Sequence, residues 1–296
     1  MKKLIFVAGA GHSGTTMLGL VLGQHSRLKG LGEVFQVLQS RPGYSGLDDI
    51  RAKGARCSCG KTLDGCVFWS RVDATLNERK DPTYGERLDV VLEVFEQLFG
   101  REYCGVDTSK GVEPLTLAVK AGIDVRVIHL IKDVRAYTIS YIDRADVRQS
   151  RGLSISRKKT GMLGEFYRRL PAYYFLDWHA QNLKIQKFLR AKNIPSFQLG
   201  YEELCLYPSS MIGKMCEFLE IPMEQEMLTL DNVSQSHIIR GNRMRHSSEK
   251  RQIRYDNRWF YRKEWLTPSI LFPHISRFNR EEVYKNTARS FWEEKR

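Results

Sequence analysis

The sequence predicts an α/β fold, a parallel sheet flanked by helices within a single domain. Short apolar runs typical of buried strands alternate with helical patterns along the chain, and such alternation usually forms a parallel sheet with right-handed crossovers. The apolar content of 42% is enough for a large core in a chain of 296 residues. Polar and glycine-rich clusters follow the predicted strands, which places them at the carboxyl edge where ligands bind in open α/β sheets.

The elements follow from local patterns. Lys3–Ala8 is a β-branched and aromatic run that ends in glycines, so it predicts a buried strand, and residues 15–24 predict the buried helix after it. Residues 88–99 carry apolar side chains at helical spacing. The remaining predicted elements are strands at 103–106, 125–131 and 195–199, a helix between Pro114 and Gly122, a helix that ends near Asp146 and a helix over 163–192.

The domain is predicted to span residues 1–296, with two additions. Residues 40–80 look like an irregular insertion that contains Cys57, Cys59 and Cys66, and residues 246–296 look like a helical extension. Six cysteines in a chain of this length do not indicate a disulfide framework. The cluster of three could be a reduced loop, a disulfide or part of a metal site, and the reduced loop is favoured because a structural zinc site needs four ligands.

The formal net charge of +13 predicts a surface that attracts anions. Basic residues crowd at 148–159 and 240–262, but no nucleic-acid-binding signature accompanies them, so we expect no nucleic-acid partner. The apolar stretch from Leu4 to Ala8 is too short for a secretion signal, and no window reaches the roughly 20 apolar residues that a membrane span needs. These observations predict a cytoplasmic protein.

The turn after the first strand reads Gly-Ala-Gly-His-Ser-Gly-Thr-Thr from Gly9 to Thr16. Glycines let successive backbone N–H groups point at phosphate oxygens, and the following helix adds the positive end of its dipole. This predicts a P-loop-type sheet that binds a phosphate-like group. Thr15 stands where loops that hydrolyse nucleoside triphosphates carry lysine, which disfavours a kinase.

Four motifs resemble sulfotransferases of the bacterial type and those that act on carbohydrates and tyrosyl proteins. GHSGTTMLGLVLGQHS resembles their 5′-phosphosulfate loop, and Lys132 with Ser140 eight residues later resembles their 3′-phosphate segment, although Lys132 replaces the usual arginine. Tyr201-Glu-Glu-Leu resembles a tract beside their cofactor, and the segment from His237 to Arg245 resembles one that closes over the nucleotide. The resemblance extends from residue 4 to about 245.

The resemblance implies that 3′-phosphoadenosine 5′-phosphosulfate (PAPS) is the sulfuryl donor. No pair of carboxylates with metal-binding spacing accompanies the loop, so we expect that no metal takes part. Arg144 matches a cofactor-contacting arginine of the tyrosylprotein enzymes, and Tyr201 matches their cofactor-contacting tyrosine. The implied cofactor-binding residues are Gly11, His12, Ser13, Gly14, Thr15, Thr16, Lys132, Ser140, Arg144 and Tyr201.

Sulfuryl transfer requires a base for the acceptor hydroxyl and cations for the leaving phosphate. Pairing with the tyrosylprotein enzymes places Glu33 on their catalytic glutamate and Lys110 on the lysine beside the bridging oxygen. His12 stands where relatives carry arginine or lysine, so it is the third catalytic candidate. Asp107 could orient Lys110 or cap the next helix. Glu33 could instead be a capping or salt-bridging carboxylate.

The positive charge favours an acidic acceptor, such as a glycan or an acidic peptide, and the hydroxyl of a small-molecule alcohol stays open as an alternative. Two other function classes stay open. A P-loop kinase or nucleotide-binding protein would need ATP with magnesium, whereas a non-catalytic protein would bind the product nucleotide 3′-phosphoadenosine 5′-phosphate (PAP) without transferring a sulfuryl group. Magnesium dependence and transfer activity distinguish the three.

Overall fold

One parallel sheet organises the computed structural model, which describes residues 2–39, 46–150, 170–231, 235–241 and 252–287. Its strands lie in the order β2-β3-β1-β4-β5, and all neighbouring pairs are parallel. The predicted fold class, a parallel sheet flanked by helices, is therefore confirmed. The strands are β1 (Lys3–Ala8), β2 (Leu28–Gly32), β3 (Cys104–Asp107), β4 (Asp124–Ile131) and β5 (Ser196–Gly200).

Helices cover both faces of the sheet. In chain order they are α1 (Thr15–Leu22), α2 (Val34–Leu38), α3 (Leu47–Ala52), α4 (Val67–Asn77), α5 (Tyr84–Phe99), α6 (Val112–Lys120), α7 (Val134–Ser150), α8 (Pro171–Ala191), α9 (Tyr201–Leu206), α10 (Pro208–Leu219), α11 (Leu266–Leu271) and α12 (Pro273–Val283). Short 3-10 helices occupy Gln225–Leu228 and Arg258–Tyr261. None of these described helices is long and apolar enough to cross a lipid bilayer.

The central strand β1 explains the uninterrupted apolar run in the sequence. Leu4 and Phe6 belong to the core on one face, with α4 and α5, whereas Ile5 and Val7 belong to the core on the other, with α1 and α10. Successive side chains of a strand point to opposite faces, so a strand buried on both sides is apolar throughout. The turn that follows β1 lies at the carboxyl edge, in the middle of the sheet.

Strand β2 was not predicted, because its sequence, Leu-Lys-Gly-Leu-Gly, has low strand propensity. The structure explains both glycines. A Cβ on Gly30 would lie 3.1 Å from the Ser236 hydroxyl, and Gly32 has a φ of 77° with the Arg240 carbonyl pressed against it. Residues 235–241 thus pack closely along β2, and they need the space that the glycines leave.

Other differences concern the two additions. Residues 40–80 are not irregular throughout, because they contain α3 and α4, and Trp69 of α4 is fully buried. Helices α11 and α12 lie within 246–296. The first part of the predicted helix over 163–192, the segment Asn242 to Arg245 and most of the basic stretch at 148–159 lie outside the described residues.

Candidate active site at the carboxyl edge of the sheet

Each strand of the sheet leads directly into a predicted site residue. The glycine turn follows β1, Glu33 follows β2, Lys110 comes three residues after β3, Lys132 follows β4 and Tyr201 follows β5. Parallel strands bring these five positions to one edge. The sheet therefore gathers into one region residues that are up to about 190 positions apart in the sequence, as expected for a site in an open α/β sheet.

The turn between β1 and α1 is shaped to bind an anion. His12 and Gly14 adopt positive φ angles of 62° and 89°, and the Ser13 N–H donates to the Ala10 carbonyl at 3.3 Å. The first N–H groups of α1 have no partner within the helix and carry the positive end of its dipole. The Ser13 hydroxyl is fully buried and has no hydrogen-bond partner among the described residues. A buried hydroxyl without a partner costs about 1–3 kcal/mol, which an anionic oxygen would offset.

Two tyrosines cover this turn. A Cβ on Gly14 would collide with the Tyr201 ring, and a Cβ on Gly11 would lie 2.5 Å from the Tyr141 hydroxyl. The Tyr201 hydroxyl in turn donates to the Arg254 carbonyl at 2.8 Å. Glycine is therefore needed at both positions, because any Cβ would clash with a tyrosine. Gly14 is also favoured by its positive φ angle.

Arg144 contacts His12, which is part of the turn. Arg144 Nη1 donates to His12 Nε2 at 2.8 Å, and the His12 ring packs edge-on against Tyr141 with centroids 4.5 Å apart. Because His12 accepts this hydrogen bond through Nε2, Arg144 supplies the positive charge here. The structure thus joins two residues that the sequence had assigned to the cofactor separately.

A second cationic position lies at the end of β4. Lys132 Nζ is 3.3 Å from the Ser140 hydroxyl and 2.6 Å from the Asp256 carboxylate, and it lies 5.0 Å from the centroid of the Tyr201 ring. Arg258 completes the cluster, with bonds of 2.7 Å to Asp256 and 3.1 Å to Ser140. Burial alone would raise the pKa of Asp256, but the hydrogen bond from Arg258 and the charge of Lys132 hold it well below its usual range.

Glu33 and Lys110 form an ion pair. Lys110 Nζ lies 2.5 Å from Glu33 Oε1, and Gln36 donates to the other carboxylate oxygen. Glu33 is 5% exposed, and its N–H donates to the Arg240 carbonyl at 3.1 Å. Glu33 is therefore a salt-bridging carboxylate, as one of the alternatives for it predicted. Its partner is Lys110, the other predicted catalytic residue.

The hydrogen bonds of Asp107 differ from the two that the sequence suggested, which were a bond to Lys110 and a cap on the next helix. Its Oδ1 accepts from the Ser109 N–H at 2.8 Å, from the Ser109 hydroxyl and from the Val34 N–H at 3.3 Å. Burial raises the pKa of Asp107 to about 7, although these hydrogen bonds act in the opposite direction and the nearby Glu33 charge adds to the rise. Asp107 therefore positions the start of α2, next to Glu33, and the hydrogen bonds described do not go to Lys110 or cap α6.

Solved structures with this architecture were found by comparison, whereas no protein-family model and no curated protein matches the sequence. The sulfotransferase domain from the Synechococcus PCC 7002 olefin synthase aligns with a TM-score of 0.54 and 15% identity, over 92% of this chain and 94% of that one. The sulfotransferase domain from the curacin biosynthetic pathway aligns with a TM-score of 0.50 and 18% identity, over 92% and 98%. The chain has the sulfotransferase fold.

Within this sulfotransferase fold, sequence reasoning missed Asp256 and Arg258. It singled out the segment from His237 to Arg245, but not the contact of Arg240 with Glu33. Asp256 pairs with Lys132, Arg258 donates to Asp256 and Ser140, and the Arg240 carbonyl accepts from the Glu33 N–H. The crowding of basic residues at 240–262 was the available signal, but their charge alone does not show which strand end they reach.

Proposed function

We propose that the protein is a sulfotransferase that moves a sulfuryl group from PAPS to an acceptor hydroxyl. The observation that carries the proposal is that one aromatic ring lies between two separate clusters of residues suited to bind anions. Tyr201 packs on Gly14 of the phosphate-type turn and lies 5.0 Å from Lys132 Nζ at the next strand end. PAPS carries two separate anionic groups, on the 5′ and 3′ sides of one ribose, whereas the phosphates of ATP are contiguous.

Each anion site has residues suited to one end of this donor. The turn from Gly11 to Thr16 would hold the 5′-phosphosulfate through backbone N–H groups and the Ser13 hydroxyl, with Arg144 and His12 at its mouth. Lys132 and Ser140 would hold the 3′-phosphate, in the place that the Asp256 carboxylate takes in this structure. Lysine offers charge without the paired donors of arginine, so Arg258 would supply the fork geometry.

Glu33 and Lys110 are suited to the transfer itself. In an in-line displacement, the acceptor oxygen forms a bond to sulfur while the bond from sulfur to the phosphate oxygen breaks. Glu33 accepts the hydroxyl proton, and Lys110 stabilises the electron pair that stays on the phosphate oxygen to give PAP. Because protein cations neutralise the leaving group, this scheme needs no divalent ion. The acceptor would be a glycan, a peptide or a small-molecule alcohol, and the positive charge favours an acidic one.

Calorimetric titration in EDTA tests donor recognition, because PAP binding needs no acceptor. Wild type should bind PAP and not ATP, and Lys132→Ala should lose at least about tenfold in affinity, since a charge-assisted hydrogen bond contributes about 1.5–3 kcal/mol. Lys192→Ala removes the same charge at an exposed site after α8 and should bind as wild type does. ATP binding that appears only with magnesium would overturn the proposal in favour of a kinase. Equal PAP affinities for all three proteins would mean that Lys132 does not bind the 3′-phosphate.

Transfer of radiolabelled sulfur from PAPS to a panel of sugars, phenols and tyrosyl peptides tests the catalytic roles. Glu33→Gln should lower the rate by about 10²–10⁴-fold while its PAP affinity stays within about twofold, because a general base acts only in the reaction. The exposed Glu217→Gln on α10 is the matched control. PAP binding without transfer to any acceptor would point to the non-catalytic alternative.

A further inference from the structure

Three cysteines and one histidine converge on a point outside the candidate active site. Cys57, Cys59 and Cys66 come from the loop before α4, and His237 comes from the segment along β2, 171 residues after Cys66. One potential ligand atom from each of the four lies within 4.8 Å of the others. The fourth ligand that the local sequence lacks is thus supplied by a distant segment.

The backbone around the cluster is built for this convergence. The Cys57 N–H donates to the Lys61 carbonyl at 2.8 Å, and the Gly60 N–H donates back to the Cys57 carbonyl at 2.9 Å, which closes a tight turn that holds Cys59 beside Cys57. Cys66 follows as the N-cap residue of α4. The turn and the helix start therefore present their thiols to one another.

Ser58 fastens the histidine-bearing segment to this turn. Its N–H donates to the Ile238 carbonyl at 2.9 Å, its hydroxyl donates to the Ser236 carbonyl at 2.6 Å, and the Ile238 N–H donates to that hydroxyl at 2.9 Å. These bonds flank His237 on both sides. The His237 Nδ1 then lies 3.3 Å from Cys66 Sγ.

The surroundings exclude water and fix the imidazole. Cys57 and Cys66 are fully buried, His237 is 6% exposed, and Cys59 is half-buried at the rim. The His237 ring packs against both Phe68 and Phe99, at centroid distances of 5.6 and 5.4 Å. Trp69 Nε1 donates to the His237 carbonyl at 2.5 Å, so backbone and ring are both held. A dry shell that orients the ligands is typical of structural metal sites.

We propose that Cys57, Cys59, Cys66 and His237 bind one structural Zn²⁺ through three thiolates and an imidazole. Zinc prefers this ligand set in closed tetrahedral sites, where bonds of about 2.0–2.3 Å place ligand atoms roughly 3.5–3.8 Å apart. A span of 4.8 Å or less reaches that geometry with small side-chain movements. A disulfide between two of the cysteines is the rival, and it would leave one thiol and the buried histidine without a role.

The site would connect the loop before α4 to the segment that supports Glu33. The His237 N–H donates to the Gly30 carbonyl of β2 at 2.8 Å, and three residues later the Arg240 carbonyl accepts the Glu33 N–H at 3.1 Å. Arg240 also pairs with Asp49 of α3 at 2.8 Å. Zinc at this place is structural, and its presence does not depend on the proposed transfer activity.

Metal analysis of the full chain tests the site. Protein produced in zinc-supplemented medium and purified under reducing conditions, without a metal-affinity column, should contain about one zinc per chain by plasma mass spectrometry. Cys59→Ser alters the ligand at the rim and should reduce the content at least about fivefold. Cys104→Ser, at a half-buried thiol in β3 outside the cluster, should keep it.

Cobalt spectroscopy decides the case even if Cys59→Ser fails to fold. Wild-type protein exchanged with Co²⁺ should show thiolate-to-cobalt charge-transfer bands and the intense visible bands of tetrahedral cobalt, and one equivalent of Zn²⁺ should abolish both. Folded, reduced protein that takes up less than about 0.2 equivalents of either metal overturns the proposal. So does a disulfide involving Cys57, Cys59 or Cys66, found by mass spectrometry of freshly purified protein.

Discussion

At Asp107, burial and hydrogen bonding act in opposite directions on one carboxyl group. Three donors converge on Oδ1, yet the absence of solvent dominates and raises the pKa to about 7. The folded protein therefore keeps this proton over a range in which the unfolded chain has lost it. The free energy of unfolding must then fall as the pH rises from about 4 to about 7, by up to about 1.4 kcal/mol per pH unit from this group.

Asp107→Asn should remove this pH dependence, because the amide oxygen can accept the same bonds and does not titrate. The free energy of unfolding of the variant, minus that of wild type, should increase from pH 5 to pH 7 in urea denaturation experiments. The exposed Asp146→Asn on α7 is the control and should follow wild type at every pH. Parallel profiles for Asp107→Asn and wild type would show that Asp107 ionises normally in the folded protein.

At the scale of elements, the segment before the 3-10 helix at Arg258–Tyr261 occupies the proposed 3′-phosphate site. Asp256 pairs with Lys132 at 2.6 Å and with Arg258 at 2.7 Å, so a carboxylate neutralises the cations that a phosphate would need. A phosphate must displace Asp256 or share its cations. The segment would thus compete with a nucleotide for this position.

Asp256→Asn should strengthen PAP binding by about tenfold, equivalent to about 1.4 kcal/mol, because it removes the competing charge and preserves the shape. Arg258→Ala should weaken PAP binding, since it removes one of the cations that would contact the phosphate in place of Asp256. Calorimetry on both variants measures the two effects. Weaker binding by Asp256→Asn would mean that Asp256 holds Lys132 in its binding position, and the competition argument would be wrong.

Across the whole molecule, 47 basic residues outnumber 34 acidic ones, so the protein as a whole should attract anions. PAP affinity should therefore fall severalfold when NaCl rises from about 50 to about 300 mM, because salt shortens the range of charge interactions to a few ångströms. Adenosine carries no charge, and any binding it shows should not vary with salt. A PAP affinity that is constant over this range would mean that only local hydrogen bonds matter.

The sequence determined the fold class and the edge of the sheet at which the candidate site lies. Apolar runs followed by glycines and polar residues specify a parallel sheet with polar strand ends, because a strand buried on both faces has to be apolar and its ligand groups have to follow it. This pattern located the strands β1, β3, β4 and β5, the turn from Gly9 to Thr16, and Lys132. At these positions the local residue pattern was sufficient to predict the structure.

The tertiary structure alone decided what lies beside these residues. It pairs Glu33 with Lys110, His12 with Arg144, and Lys132 with Asp256, and it brings His237 to the three cysteines. Strand β2 also escaped prediction, because its glycines serve a segment about 200 residues away. Contacts of this kind depend on how distant segments pack, and a local pattern of residue types carries no information about that packing.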